Sequence, residues 1–274
     1  QINKSIVNYA DLRRYNTIII PSGGSLTKNN KTILTDWVKQ GGTLIAHNGS
    51  VRALTSEEGV GNVKQIQNSF DKSNNFNIDL QREIYALSDE IDYESVLGNK
   101  VNTEISYPWE TSKKKLSQKE LEDRDKWQSL FMPSGSFVGA RTDQKHWLTF
   151  GSTEILPVLY SNYPVLMTDK NSQAAVRIGE IIDSPENNEV KVLNWSTIPA
   201  GKDINIRMSG LVWPEAAQRI ANSAYVTRER LGSGQVILFS GEPNFRGSTL
   251  GTNRLWLNAV VYGAGLGTSK KINL

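Results

Sequence analysis

Between residues 17 and 46 the sequence runs strand, helix and strand with very short joins, and this succession narrows the fold more than any other feature. Thr17-Ile18-Ile19-Ile20 is a β-branched run closed by Pro21 and the Gly23-Gly24 pair, the pattern of a fully buried strand. From Thr32 to Gln40, apolar residues fall at Ile33, Leu34, Trp37 and Val38, which is helical spacing. Gly41-Gly42 supplies a left-handed helix terminus, and Thr43-Leu44-Ile45-Ala46 is a second apolar strand. Two strands joined through one helix form a βαβ unit, so a parallel sheet is expected.

Beyond the tight His47-Asn48-Gly49-Ser50 corner the pattern changes. Residues 56–130 are polar and rich in Asn, Lys, Glu and Asp, and read as an inserted helical excursion. Helices are expected near Leu80–Leu97 and Ser117–Leu130, with a mobile stretch near Gly98–Lys115; Ser117 and Glu120 make a capping box. After Pro133, strands are expected at Ser136–Arg141, Pro157–Tyr160, Ala174–Ile182, Glu189–Trp195 and Ile204–Met208. Pro214 opens a helix through Asn222, Gly232-Ser233-Gly234 turns a hairpin between Tyr225–Leu231 and Gln235–Ser240, and Thr249–Tyr262 closes as a helix. The expected fold class is therefore α/β. A mainly parallel, flavodoxin-like sheet flanked by helices and elaborated by β-hairpins spans residues 1–55 and 131–274, with 56–130 as the helical insertion.

Composition excludes much chemistry. The 274 residues include no Cys, which removes thiolate metal sites and a cysteine nucleophile, and only 2 His. A zinc-binding helix pairs His with a Glu or His one turn on, whereas His47 is followed by Ser50 and His146 by Thr149. No metal and no cofactor are expected, and His146 reads as a packed or hydrogen-bonded residue at a strand edge. There is no Gly-x-Ser-x-Gly elbow and no Walker-type phosphate loop; Gly59-x-Gly61 lacks a third glycine, and the glycines at 263, 265 and 267 follow a helix instead of opening one. The acids between Asp89 and Glu94 read as solvated. With 31 Lys+Arg interspersed among 28 Asp+Glu, nucleic acid is not an expected partner, and Lys113-Lys114-Lys115 reads as a solvated surface. No apolar run reaches the ~18–20 residues that span a bilayer. Because the sequence opens at Gln1 without Met, it reads as a processed product or an excised piece, and the lack of a leader says nothing about compartment.

Two corners remain. His47–Ser50 follows one buried strand, and Gly241–Gly247 follows another, Val236–Phe239. Ligand sites in open parallel sheets lie beyond the strands' C-terminal ends, so His47, Asn48, Ser50, Glu242, Asn244 and Arg246 are expected to line one crevice. The plainer reading has Arg246 paired internally and Asn244 capping a turn.

Tyr15–Gly23, Leu34–Ala46 and Gly232–Asn244 resemble the class I glutamine amidotransferase-like fold. Ser209-Gly210-Leu211-Val212-Trp213-Pro214-Glu215, Pro243-Asn244-Phe245-Arg246-Gly247 and Thr252–Ala259 are similar to the amidotransferase-like domain that follows the peptidase domain in secreted bacterial zinc carboxypeptidases of the carboxypeptidase A type. The resemblance leaves out residues 56–130. It puts His47 or Asn48 where an active amidotransferase has its Cys, Glu242 where it has His and Asn244 where it has Glu, so the family's chemistry is not carried over. What it implies is a non-catalytic accessory domain of a secreted or periplasmic protein, packed on the upstream peptidase domain or shaping access to its cleft. A peptide- or sugar-binding module using the crevice is the alternative. An unrecognised hydrolase with Glu242 or His47 as base is the third.

Overall fold

The computed structural model describes residues 7–23, 25–87, 116–247 and 249–269. The Asp89–Glu94 acids, the Gly98–Lys115 stretch with its lysine run, and the far end of the helix expected at Leu80–Leu97 lie outside the described residues. The strands are β1 (Thr17–Ile20), β2 (Thr43–His47), β3 (Lys64–Gln65), β4 (Ser136–Thr142), β5 (Ile155–Tyr160), β6 (Leu166–Met167), β7 (Ser172–Ile178) and β8 (Glu180–Asp183). They continue as β9 (Lys191–Val192), β10 (Thr197–Ile198), β11 (Lys202–Asn205), β12 (Arg207–Ser209), β13 (Ala224–Leu231) and β14 (Gly234–Phe239). The helices are α1 (Lys28–Lys39), α2 (Gly49–Leu54), α3 (Ser73–Leu87), α4 (Gln118–Ser129), α5 (Pro214–Ile220) and α6 (Leu250–Tyr262). Among the described residues no helix is long and apolar enough to cross a membrane.

The fold is α/β, a large mixed sheet flanked by helices, ordered β1-β2-β14-β13-β7-β4-β12 along its main path. Among the described residues the parallel ladders are confined to β1–β2 and β2–β14. From β14 onward, through β13, β7 and β4 to β12 and β5, neighbours pair antiparallel. The parallel share is thus smaller than expected: β4–β5 and β13–β14 are sequential antiparallel pairs, and β7 runs antiparallel between β13 and β4. Side chains alternate between two cores. Leu44, Ala46, Val236 and Leu238 face the layer holding Trp37 and Val38 of α1, whereas Ile45, Ile237 and Phe239 face the layer holding Leu255 and Ala259 of α6. Strand β1 is not fully buried as its β-branched run implied. It forms the sheet edge beside β2, so Ile19 stays 41% exposed.

The expected strand over Ala174–Ile182 breaks at Gly179, whose φ of 97° turns the chain from β7 into β8 where a Cβ would meet the Ile204 side chain. Likewise Ile204–Met208 divides at Ile206 into β11, paired with β8, and β12, paired with β4. Only Lys191–Val192 of Glu189–Trp195 forms a strand, against β10.

The described parts of 56–130 do not stand apart as an excursion. Strand β3 joins the sheet through β6, and Phe70, Phe76, Leu80 and Leu121 belong to the main core. These helices look solvated in sequence because their buried faces are partly polar. Asn77 Oδ1 accepts the Thr197 N–H at 2.9 Å and Gln81 Nε2 donates to the Thr197 carbonyl at 2.6 Å, tying α3 to β10. Helix α4 starts at the expected capping box and buries Leu121, Asp125 and Gln128, spaced four and three residues apart. Gln128 accepts from Asn194 at 3.0 Å, and the Asp125 carboxylate takes Arg219 Nε at 2.8 Å and Nη2 at 3.2 Å, joining α4 to α5. Both partners of that ion pair are buried, so removing one strands a charge in the interior. Asp125→Ala is expected to cost about 3–5 kcal/mol of unfolding free energy in urea denaturation, while a loss below about 1 kcal/mol would mean the pair is solvated.

Candidate functional site

Strands β2 and β14 are adjacent and parallel, with His47 opposite Phe239, so their C-terminal ends stop at the same level. The two corners expected from the sequence therefore lie side by side. The Asn48 N–H donates to the Phe239 carbonyl at 3.0 Å, and the chain then reverses abruptly into α2. The reversal puts Asn48 at φ 51° and ψ −123°, a left-handed conformation that costs a non-glycine residue on the order of 1–3 kcal/mol. Strand, strained residue, helix is the backbone form of a nucleophile elbow, although the sequence pattern of one is absent. Gly49 lets the loop after β1 close against the elbow: a Cβ there would lie 3.3 Å from the Gly23 nitrogen. Ser50 is fully buried, its hydroxyl within reach of the Ile20 carbonyl at 3.1 Å and the His47 carbonyl at 2.8 Å. It braces the corner from behind and does not line a crevice.

Glu242 meets the elbow from the β14 side. Asn48 Nδ2 donates to Glu242 Oε1 at 3.0 Å, across 194 residues of sequence. Beside Glu242 lies Tyr163, a residue with no local signature in the sequence. Burial pushes its phenol pKa up, as does the Glu242 charge, while the Glu242 backbone N–H bonded to it acts in the opposite sense. A Cβ on Gly241 would sit 2.6 Å from the Tyr163 ring and 3.1 Å from the Tyr225 ring, so glycine is what lets the chain pass between them. On the other flank the His47 ring lies edge-on to Trp256 with centroids 5.3 Å apart, and Trp256 in turn packs on Phe239 at 5.4 Å. Burial holds the His47 pKa below 6.5, and the Glu242 charge pulls it back up in part.

The other expected crevice residues are not drawn in. Asn244 is exposed and its carbonyl accepts the Gly247 N–H at 3.2 Å, as a turn residue would. Arg246 is exposed at φ 50°, with its guanidinium carbon 5.1 Å from the centroid of the neighbouring Phe245 ring. The hydroxyls of Thr249 and Thr252 hold the Pro243 carbonyl and fasten this loop to the start of α6. His146 lies far along the chain in a turn, buried, with Nδ1 accepting the Leu148 N–H at 3.1 Å. The convergent set is His47, Asn48 and Glu242, with Tyr163 and Trp256 added by the tertiary structure. At the strained position sits an amide, which is not a nucleophile toward acyl groups, and one of its two hydrogens is given to the Glu242 carboxylate. Among the described residues, no three His, Cys, Asp or Glu gather in a way that could hold a metal ion.

No protein-family model matches the chain. No curated protein matches it in sequence. Among solved structures, it is similar to a cytoplasmic protein of Salmonella typhimurium LT2, with 14% identity, a TM-score of 0.41, and coverage of 96% of this chain and 80% of that one. A protein described as ThuA-like from Bacteroides uniformis gives 13% identity and a TM-score of 0.45, covering 99% of this chain and 78% of that one. A second cytoplasmic protein of Salmonella typhimurium gives 12% and 0.40, covering 96% and 76%.

Because the folded state disfavours the charged imidazole, the stability that His47 contributes is fully present above pH 6.5 and is lost as pH falls through its lower folded pKa. In an NMR titration His47, assigned by the loss of its signals in His47→Gln, is expected to have a midpoint below 6.5. Glu242→Gln should lower that midpoint further by removing the opposing charge. A midpoint at or above 6.5, or an upward move in the variant, would contradict this balance.

Proposed function

We propose that this chain is a non-catalytic, amidotransferase-like accessory domain of a secreted or periplasmic zinc carboxypeptidase-like protein. The observation that carries the reading is the elbow: Asn48 occupies the strained strand-to-helix position and its amide is bonded to Glu242. The backbone that would present a nucleophile is retained while the side chain that would act is not. This sharpens the choice between His47 and Asn48 as the residue standing in the nucleophile's place, since the left-handed conformation belongs to Asn48.

An accessory role needs a surface for the neighbouring domain. Trp127, Phe131 and Trp213 form a run of edge-to-face rings, with centroids 5.0 and 6.5 Å apart. Trp127 is 57% exposed and Trp213 50%, with Leu130 and Leu211 also exposed. Exposed Trp residues are characteristic anchors of protein interfaces, and Trp213 belongs to the segment that carries the resemblance. The crevice-binding alternative keeps His47, Asn48 and Glu242 but has Arg246 stacked on its own neighbour.

The purified chain is expected to turn over neither glutamine, simple amides nor peptides. Turnover that survives a chelator and disappears in Glu242→Gln would make the domain an enzyme. The parentage is tested by the reading frame upstream of Gln1, where a His-x-x-Glu peptidase domain is expected. Trp213→Ala should weaken binding to that domain by about tenfold or more in calorimetry, and an unchanged affinity would remove this surface from the interface.

A further inference from the structure

Asn48-Gly49 is the sole Asn-Gly pair in the sequence, and it sits at the strained elbow. Seen along the Cα–C bond of Asn48, a ψ of −123° brings the Gly49 nitrogen into eclipse with Cβ. That is the torsion demanded by a five-membered ring closed between the Gly49 nitrogen and Asn48 Cγ. Helical backbone, with ψ near about −42°, and antiparallel strand, near about +135°, both hold the nitrogen well away from it. An ordinary folded Asn-Gly must distort to close the ring, whereas here the fold has set the backbone already. Gly49 also brings no side chain to shield its nitrogen, and as the first residue of α2 its N–H has no intrahelical acceptor. The bond from Nδ2 to Glu242 at 3.0 Å restrains the amide beside it.

We propose that Asn48 is a self-modification site at which the fold drives loss of the side-chain amide. The Gly49 nitrogen bonds to Asn48 Cγ as the Cγ–Nδ2 bond breaks, and Nδ2 leaves as ammonia with the hydrogen that the Gly49 nitrogen gives up. Water then opens the cyclic imide. Addition at Cγ leaves aspartate at position 48, and addition at the backbone carbonyl carbon leaves isoaspartate, with the main chain rerouted through the side chain. In the aspartate product the amide–carboxylate hydrogen bond becomes a contact between two carboxyl groups. At that spacing they cannot both ionise freely, so the pair retains a shared proton above the ordinary carboxylate range. The proposal does not depend on the accessory-domain reading, since it needs no partner and no substrate.

The test compares one chain in two states. Folded protein and protein unfolded in urea are incubated in the same mildly alkaline buffer, and the peptide containing Asn48 is followed by mass spectrometry for the replacement of NH2 by OH. Released ammonia is measured in parallel. The folded chain is expected to convert about tenfold or more faster than the unfolded one, the reverse of the usual protection by folding, because the ring-closing torsion is organised in advance. The peptides holding Asn68-Ser69 and Asn222-Ser223 should stay unmodified in the folded chain, and Asn48→Gln should abolish the ammonia attributed to this site. Conversion that is equal in the two states, slower in the folded state or absent from it would overturn the proposal.

Discussion

The parallel pairing of β2 with β14 is the constraint on which the site depends. Its register sets His47 opposite Phe239, and the Asn48 N–H adds one more bond to the Phe239 carbonyl before the chain turns. Both strands are apolar on both faces, since one face meets α1 and the other meets α6. A slip of one residue would exchange the two faces of β14, putting Phe239 among the α1 contacts. It would also part Asn48 from Glu242. Packing on both faces thus holds in place a hydrogen bond between residues 194 positions apart.

That bond lies between a strained amide and a partly screened carboxylate, with the environment on each side pulling differently. Burial favours the neutral form of His47, while the Glu242 charge works against it and also helps to raise the Tyr163 pKa. The elbow is over-determined from behind, because Ser50 ties it to β1 and Gly49 admits the loop that follows β1. Such bracing is what allows a non-glycine residue to remain at φ 51°. The chemistry available there is that of the backbone and the amide, not of a nucleophilic side chain.

How much of this was legible in the sequence varied with the kind of residue. The βαβ unit and the hairpin of β13 and β14 were legible because periodicity and glycine turns are local signals. The packing of the described parts of 56–130 was not legible because α3 and α4 bury Asn77, Gln81, Asp125 and Gln128, whose partners on β10, α5 and the loop at Asn194 lie far away in sequence. Polar composition normally marks a solvated face, and only knowing the partners reverses that reading. The edge position of β1 was equally hidden, since an apolar run does not record which of its sides lacks a neighbour.

For the site, the sequence by itself determined which chemistry is missing: no cysteine anywhere, and no Glu one turn after either His. It also located both corners, because each follows an apolar strand directly. Only the tertiary structure decided which corner residues meet. It joined Asn48 to Glu242, turned Ser50 inward, left Asn244 and Arg246 in an exposed turn, and brought in Tyr163 and Trp256. The physical reason is that residue type is a property of one position, whereas strand register and the strained torsion at Asn48 arise from packing between segments far apart in the chain.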